Sequence, residues 1–192
     1  MRIASALAAA LVMLAIAACG TPPQIRYFTL ASEPVASFAA PTLSIVVGPV
    51  TVPELVDRPH FVMRSGASSV EIVETARWAA PLKSEIPRVI ADHLARLLDA
   101  RAWSSAQRAS SQPDYRVLID IQRFETSSQE GAVIQALWTV RPHGGAAPVS
   151  GRSFVTESAG ADYEALADAH SRALAAVSRD IAAAISTLRT PK

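Results

Sequence analysis

Two histidines three or four residues apart on one helix face would hold a zinc ion, and His60, His93, His143 and His170 form no such pair in this chain. His93 and His170 fall within apolar seams at helical spacing, where a lone imidazole ordinarily packs against neighbours and finds one hydrogen-bond partner. His143 precedes Gly144 and Gly145, a turn only faintly similar to the oxyanion loop of esterases, and no G-x-S-x-G elbow supplies a nucleophile. Acidic residues lie near one another at Glu71 and Glu74 and at Asp120 and Glu125, a spacing typical of solvated strand faces; a glycosidase needs two carboxylates set across a cleft. No glycine-rich phosphate loop occurs, so a nucleotide site is disfavoured. The sequence therefore implies a protein that is not an enzyme and carries no cofactor and no metal.

One thiol remains. Cys19 lies in the stretch "LVMLAIAACG", residues 11–20, at the end of an apolar block that begins just after Met1 and Arg2. A charged start, an apolar middle and small residues before the cysteine make an export signal. The block is shorter than the roughly 20 residues a stable membrane span needs, and Pro22 and Pro23 stop any helix from continuing. Ile16-Ala17-Ala18-Cys19 resembles the lipobox of bacterial lipoproteins. That resemblance implies diacylglycerol on the Cys19 sulfur, cleavage before it and acylation of the new amine. The competing reading is an ordinary secretory signal with a free thiol, an oxidation liability outside the cytoplasm. Buried acyl methylenes contribute about 0.8 kcal/mol each, and two or more chains give stable anchoring. Gly20 stands where, in the sorting pattern of such lipoproteins, an Asp would retain the protein in the inner membrane; that resemblance implies the outer membrane and its periplasmic face.

The organisation expected is a removed signal at 1–18, a lipidated start and tether at 19–24, and one α+β domain over 25–192. With 18 basic and 17 acidic residues, the chain without Arg2 is near neutrality, and no basic stripe points to nucleic acid. A mature chain of about 170 residues buries roughly 70% of its unfolded surface without a disulfide.

Period-two patterns predict strands over 25–31, 42–52, 61–64 and 70–74, with a hairpin at "SGAS" and a bulge or bend at Gly48-Pro49. Val70, Ile72 and Glu74 share a face that is not cleanly apolar, which fits an edge strand. Trp78, Leu82, Ile86, Val89, Ile90, His93, Leu94 and Leu97 then recur at steps of three or four, the mark of an amphipathic helix. Pro81 suits its first turn; Pro87 predicts either a kink or a later start. Alternation returns from residue 102. Val117, Ile119 and Ile121 face one way with Tyr115, and Ile134, Ala136, Trp138 and Val140 share a face further on. With "GRSFVTES" beyond the "PHGGAAP" turn, these read as an antiparallel meander. A second helix begins at the Asp162 cap, its seam running from Tyr163 through Leu166, His170, Leu174, Val177, Ile181 and Ile185 to Leu188. The resulting order, ββββαββββα, predicts an antiparallel sheet with two helices packed on it.

Three short stretches carry a further signal: Tyr27-Phe28-Thr29-Leu30; then Val52-Pro53, Leu55, Asp57-Arg58-Pro59, Val62 and Arg64; then Arg77-Trp78-Ala79 with Pro81-Leu82. In this order, after the lipobox, they resemble the auxiliary lipoproteins of ABC-type transport systems, the PqiC and YmbA type. Val56 between Leu55 and Asp57 departs from that pattern. The resemblance implies an outer-membrane-anchored partner of an MCE (mammalian cell entry) protein which, with an inner-membrane permease, moves lipids between membranes. It brings no catalytic residue. Because MCE proteins are rings, a homo-oligomeric ring is the matching assembly. The residues singled out are Cys19 for acylation and Asp57, Arg58, Arg64 and Trp78 as a docking or structural cluster, with Asp57 paired to Arg58 or Arg64 in the simplest account. The alternative from another class is a lipid-carrying module that holds a phospholipid in an apolar cavity between sheet and helix. An envelope hydrolase is the third.

Overall fold

The computed structural model describes residues 23–32, 42–106, 112–127, 129–160 and 162–189; the export signal and Cys19 lie outside them. The elements are β1 (Arg26–Phe28), β2 (Leu43–Thr51), a 3-10 turn (Glu54–Val56), β3 (His60–Arg64), β4 (Val70–Trp78), helix α1 (Leu82–Leu98), β5 (Ala100–Ser104), β6 (Tyr115–Ser127), β7 (Gly131–Pro142), β8 (Val149–Glu157) and helix α2 (Tyr163–Arg189). The order and the α+β class are those expected from the hydrophobic periods.

The long strand β6 is the spine of one eight-stranded sheet. Along one edge it pairs β7, and β7 pairs β8, the antiparallel meander expected. Along the other edge it serves two neighbours in turn. Its first half pairs β2, with Val47 opposite Val117, and its far end meets β3 through the single pair Met63 and Thr126. The antiparallel expectation holds for β3–β4 and for β6–β7–β8, whereas β2 runs parallel to both β5 and β6, β3 parallel to β6, and β1 parallel to β4. Parallel neighbours need a crossover, commonly a helix. Helix α1 is that crossover: it follows β4, packs on β2 and β5, and returns the chain alongside β2. Short polar links alone do not reveal it.

Both helices cover one face of the sheet. Their seams bury Ile86, Val89, Ile90 and Leu94 from α1, and Leu166, Leu174, Val177, Ile181 and Ile185 from α2, against Ile45, Val47, Val117, Ile134 and Val140. Burying one such side chain fully contributes about 1.5–3 kcal/mol. The space between sheet and helices is occupied by these side chains. Helix α1 runs through Pro87 from Leu82, neither broken nor starting late. Pro81 precedes its first residue, and the amides of Ser84 and Glu85 both donate to the Pro81 carbonyl. Trp78 and Leu97 do not belong to the seam: Trp78 ends β4, and Leu97 is exposed. For α2, Asp162 caps as expected, accepting the Ala165 amide at 2.9 Å.

Two irregularities set the sheet's faces. In β6 the register shifts between Ile121 and Arg123, so inward positions pass from Val117, Ile119 and Ile121 to Phe124 and Thr126. One extra residue reverses the alternation beyond it. In β2 a shift between Val47 and Val50 falls at the Gly48-Pro49 step, where Gly48 has φ +121°. Strand β4 is an edge over its first residues, with Val70 and Ile72 exposed.

Aromatic rings fill the junction between the β1–β4–β3 group and β6. Phe61 stacks on Trp78 at 4.3 Å, Phe28 meets Phe61 edge-on, and Phe124 stacks on His170 at 4.1 Å. His170 is wholly buried, its Nε2 hydrogen-bonded to Thr126 Oγ1 at 2.8 Å and its Nδ1 without a partner.

Candidate functional site

Proline geometry builds the site. Pro53 precedes the 3-10 turn, where the amides of Val56 and Asp57 donate to the carbonyls of Pro53 and Glu54. The chain leaves this turn at Asp57-Arg58-Pro59, and the Pro59 carbonyl accepts the Trp78 amide at 2.6 Å. That bond lays the turn against the end of β4. On the other side of β4, Arg77 is the ladder partner of Tyr27 and Trp78 that of Phe28; Arg77 also faces His60 of β3. The Ala79 amide then donates to the Phe28 carbonyl at 2.8 Å, and residues 79–81 lead into α1. Backbone hydrogen bonds thus bring three segments far apart in sequence to one place.

Between them lies an open groove of about 440 Å³, lined by Tyr27, residues 57–59 and residues 77–81. The nearly buried Trp78 contributes to its lining, and prolines and alanines make much of its wall. Its charge is unbalanced. Asp57 is taken by Lys83 Nζ at 2.5 Å, in the first turn of α1. Arg58 and Arg77 are half-buried, and the Nε of each is fully buried and hydrogen-bonded to nothing. A buried donor left unsatisfied costs about 1–3 kcal/mol, and more when it carries charge.

Of the four residues expected to form a docking or structural cluster, Asp57, Arg58 and Trp78 therefore meet in the groove, and Arg64 does not. Arg64 ends β3, and its Nε and Nη2 donate to the two oxygens of Glu125, each at 3.0 Å. Asp57 pairs with neither arginine expected for it, because Lys83 approaches from α1. Arg123 also donates to Glu125, at 2.7 Å, and this bond foremost, with Arg64 helping against burial, holds the Glu125 carboxyl below its usual range. Asp114 is likewise held low, chiefly by the Ser44 hydroxyl.

Arg77 and Lys83 belong to the site and were not singled out. Arg77 adjoins Trp78 within a quoted motif and was legible there. Lys83 gave no signal, since only the fold brings it across to Asp57. Among the described residues no group of three or more histidines, cysteines or carboxylates could hold a metal ion, and no helix is long and apolar enough to cross a membrane.

No curated protein matches the chain in sequence. Among solved structures, an uncharacterized protein is similar with a TM-score of 0.67 at 17% identity, over 84% of this chain and 99% of that one. A protein of Xanthomonas campestris is similar with a TM-score of 0.56 at 18% identity, over 82% and 92% of the two chains. At such identities the likeness speaks for the fold alone. The family model described as ABC-type transport auxiliary lipoprotein component matches residues 28–182. That span holds the whole sheet after β1's first residues, both helices through most of their length and every groove residue but Tyr27, and on it the chain belongs to the ABC-type transport auxiliary lipoprotein component family.

Proposed function

We propose that this protein is held at the periplasmic face of the outer membrane by an acylated Cys19. There it acts as the auxiliary component of a transport system that moves lipids between the two membranes, docking an MCE-domain protein that works with an inner-membrane permease. The observation that carries the reading is the convergence of its three motif segments on one groove at the surface, next to β1, the first strand after Cys19. Residues that served only to build the core would not need to meet where a partner can reach them. A homo-oligomeric ring would present several copies of that groove to a ring-shaped partner.

Co-purification from detergent-solubilised membranes tests this. The wild-type protein should bring down an MCE-domain protein and a permease. An Ala79→Arg variant, which fills the groove without touching the core, should lose them while remaining folded. Recovery of neither partner with the wild type would refute the docking role.

A further inference from the structure

The two guanidinium groups of the groove are placed for a ligand that the family membership does not name. Arg58 comes from the turn after the 3-10 helix and Arg77 from the end of β4, yet both line the same 440 Å³ space. Neither guanidinium forms an ion pair or hydrogen bond with another described residue, and the Nε of each is buried from solvent without a partner. The one carboxylate on the rim, Asp57, is already neutralised by Lys83. Immediately beyond residues 79–81 begins α1, whose N-terminal end adds a favourable field for negative charge. The pocket's lining thus carries an excess of positive charge beside the apolar Pro59, Ala79, Ala80 and Pro81.

We propose that this groove seats the phosphate diester of a membrane phospholipid between Arg58 and Arg77, with the glycerol and first methylenes against the proline and alanine walls. Guanidinium forks match phosphate oxygens in pairs, and two forks from separate segments suit a tetrahedral group better than one planar carboxylate. Position favours a lipid source. Tyr27, on the rim, is eight residues after Cys19, a stretch that spans at most about 29 Å when fully extended. An acylated Cys19 would thus keep the groove close to a layer of phosphate headgroups. This last step rests on the anchored reading given above; the pocket's charge and shape do not.

Native mass spectrometry of the full-length protein, released from maltoside micelles doped with phosphatidylglycerol, tests the assignment. One phospholipid per chain should be retained. Uncharged diacylglycerol should not be retained, and inorganic phosphate should compete only at a concentration at least tenfold higher. The Arg58→Gln, Arg77→Gln double variant should retain at least tenfold less lipid, with Arg58→Lys, Arg77→Lys intermediate and the far-ultraviolet circular dichroism unchanged. Equal retention of diacylglycerol, equal competition by free phosphate, or no phospholipid retained by the wild type would each overturn the proposal, whatever the variants do. Partner co-purification is a separate readout, so a groove that binds no phospholipid leaves the docking role to stand or fall by itself.

Discussion

Acidifying the solution from pH 7 to pH 5 should weaken the fold by about 2 kcal/mol through one side chain, His170. Burial pushes its imidazole from the ordinary 6.5 down to about 3. Between those two values the unfolded chain takes up a proton that the folded chain refuses, so stability falls as the pH falls through that window and is regained above 6.5. Each pH unit inside the window is worth about 1.4 kcal/mol, and pH 5 lies roughly 1.5 units below the unfolded value. Carboxylates interfere little there. Asp114 and Glu125 have lowered values, so the stability they add is present above the ordinary carboxylate range and lost only at lower pH. The assay is urea unfolding at pH 7, 6 and 5, where the midpoint should drop by roughly 1 M over the range. In His170→Phe the ring can still stack on Phe124, and the Thr126 hydroxyl loses its partner at a constant cost of about 1 kcal/mol. That variant should lose about 2 kcal/mol less than the wild type between pH 7 and 5, because whatever the other histidines contribute is common to both. Equal losses in the two proteins would refute the account.

Three further outcomes are expected. Gly151→Ala should destabilise by about 1–3 kcal/mol in the same unfolding assay, since a Cβ there would overlap the Trp138 ring, which its bond to Ser153 holds in place. Asp162→Ala should cost about 1 kcal/mol by removing the α2 cap, whereas Asp162→Asn should cost little. Cys19→Ala should leave the circular dichroism spectrum of the domain unchanged and move the protein out of the salt-washed outer-membrane pellet; continued pelleting would contradict acylation at that residue.

How far the fold could be read depended on where the information lay. The α2 seam was legible residue by residue because a long amphipathic helix repeats one rule over many turns, and Leu166, His170, Leu174, Val177, Ile181 and Ile185 are all buried as spaced. The inward faces of β6 and β7 followed from alternation up to Ile121. Beyond that point alternation failed, since a bulge inverts it and leaves no local mark. Trp78 was read into the helix because it lies four residues before Leu82, yet it pairs with Phe28 across strands. Strand direction was not legible for β2, because parallel pairing is decided by where α1 returns the chain. At the groove, the motifs singled out Asp57, Arg58 and Trp78, whereas the separation of Arg64 and the arrival of Lys83 follow from tertiary structure alone.

The contact of β6 with β3 has a mechanical consequence. One ladder pair ties β3 to the spine, and the two Arg64–Glu125 bonds and the edge-on contact of Trp78 with Phe124 add to the holding there. Strands β6 and β7 are laddered along both edges, so amide exchange should be faster in β1, β3 and β4 than in β6 and β7. The edge offered to a partner would then be the part of the sheet that opens most often.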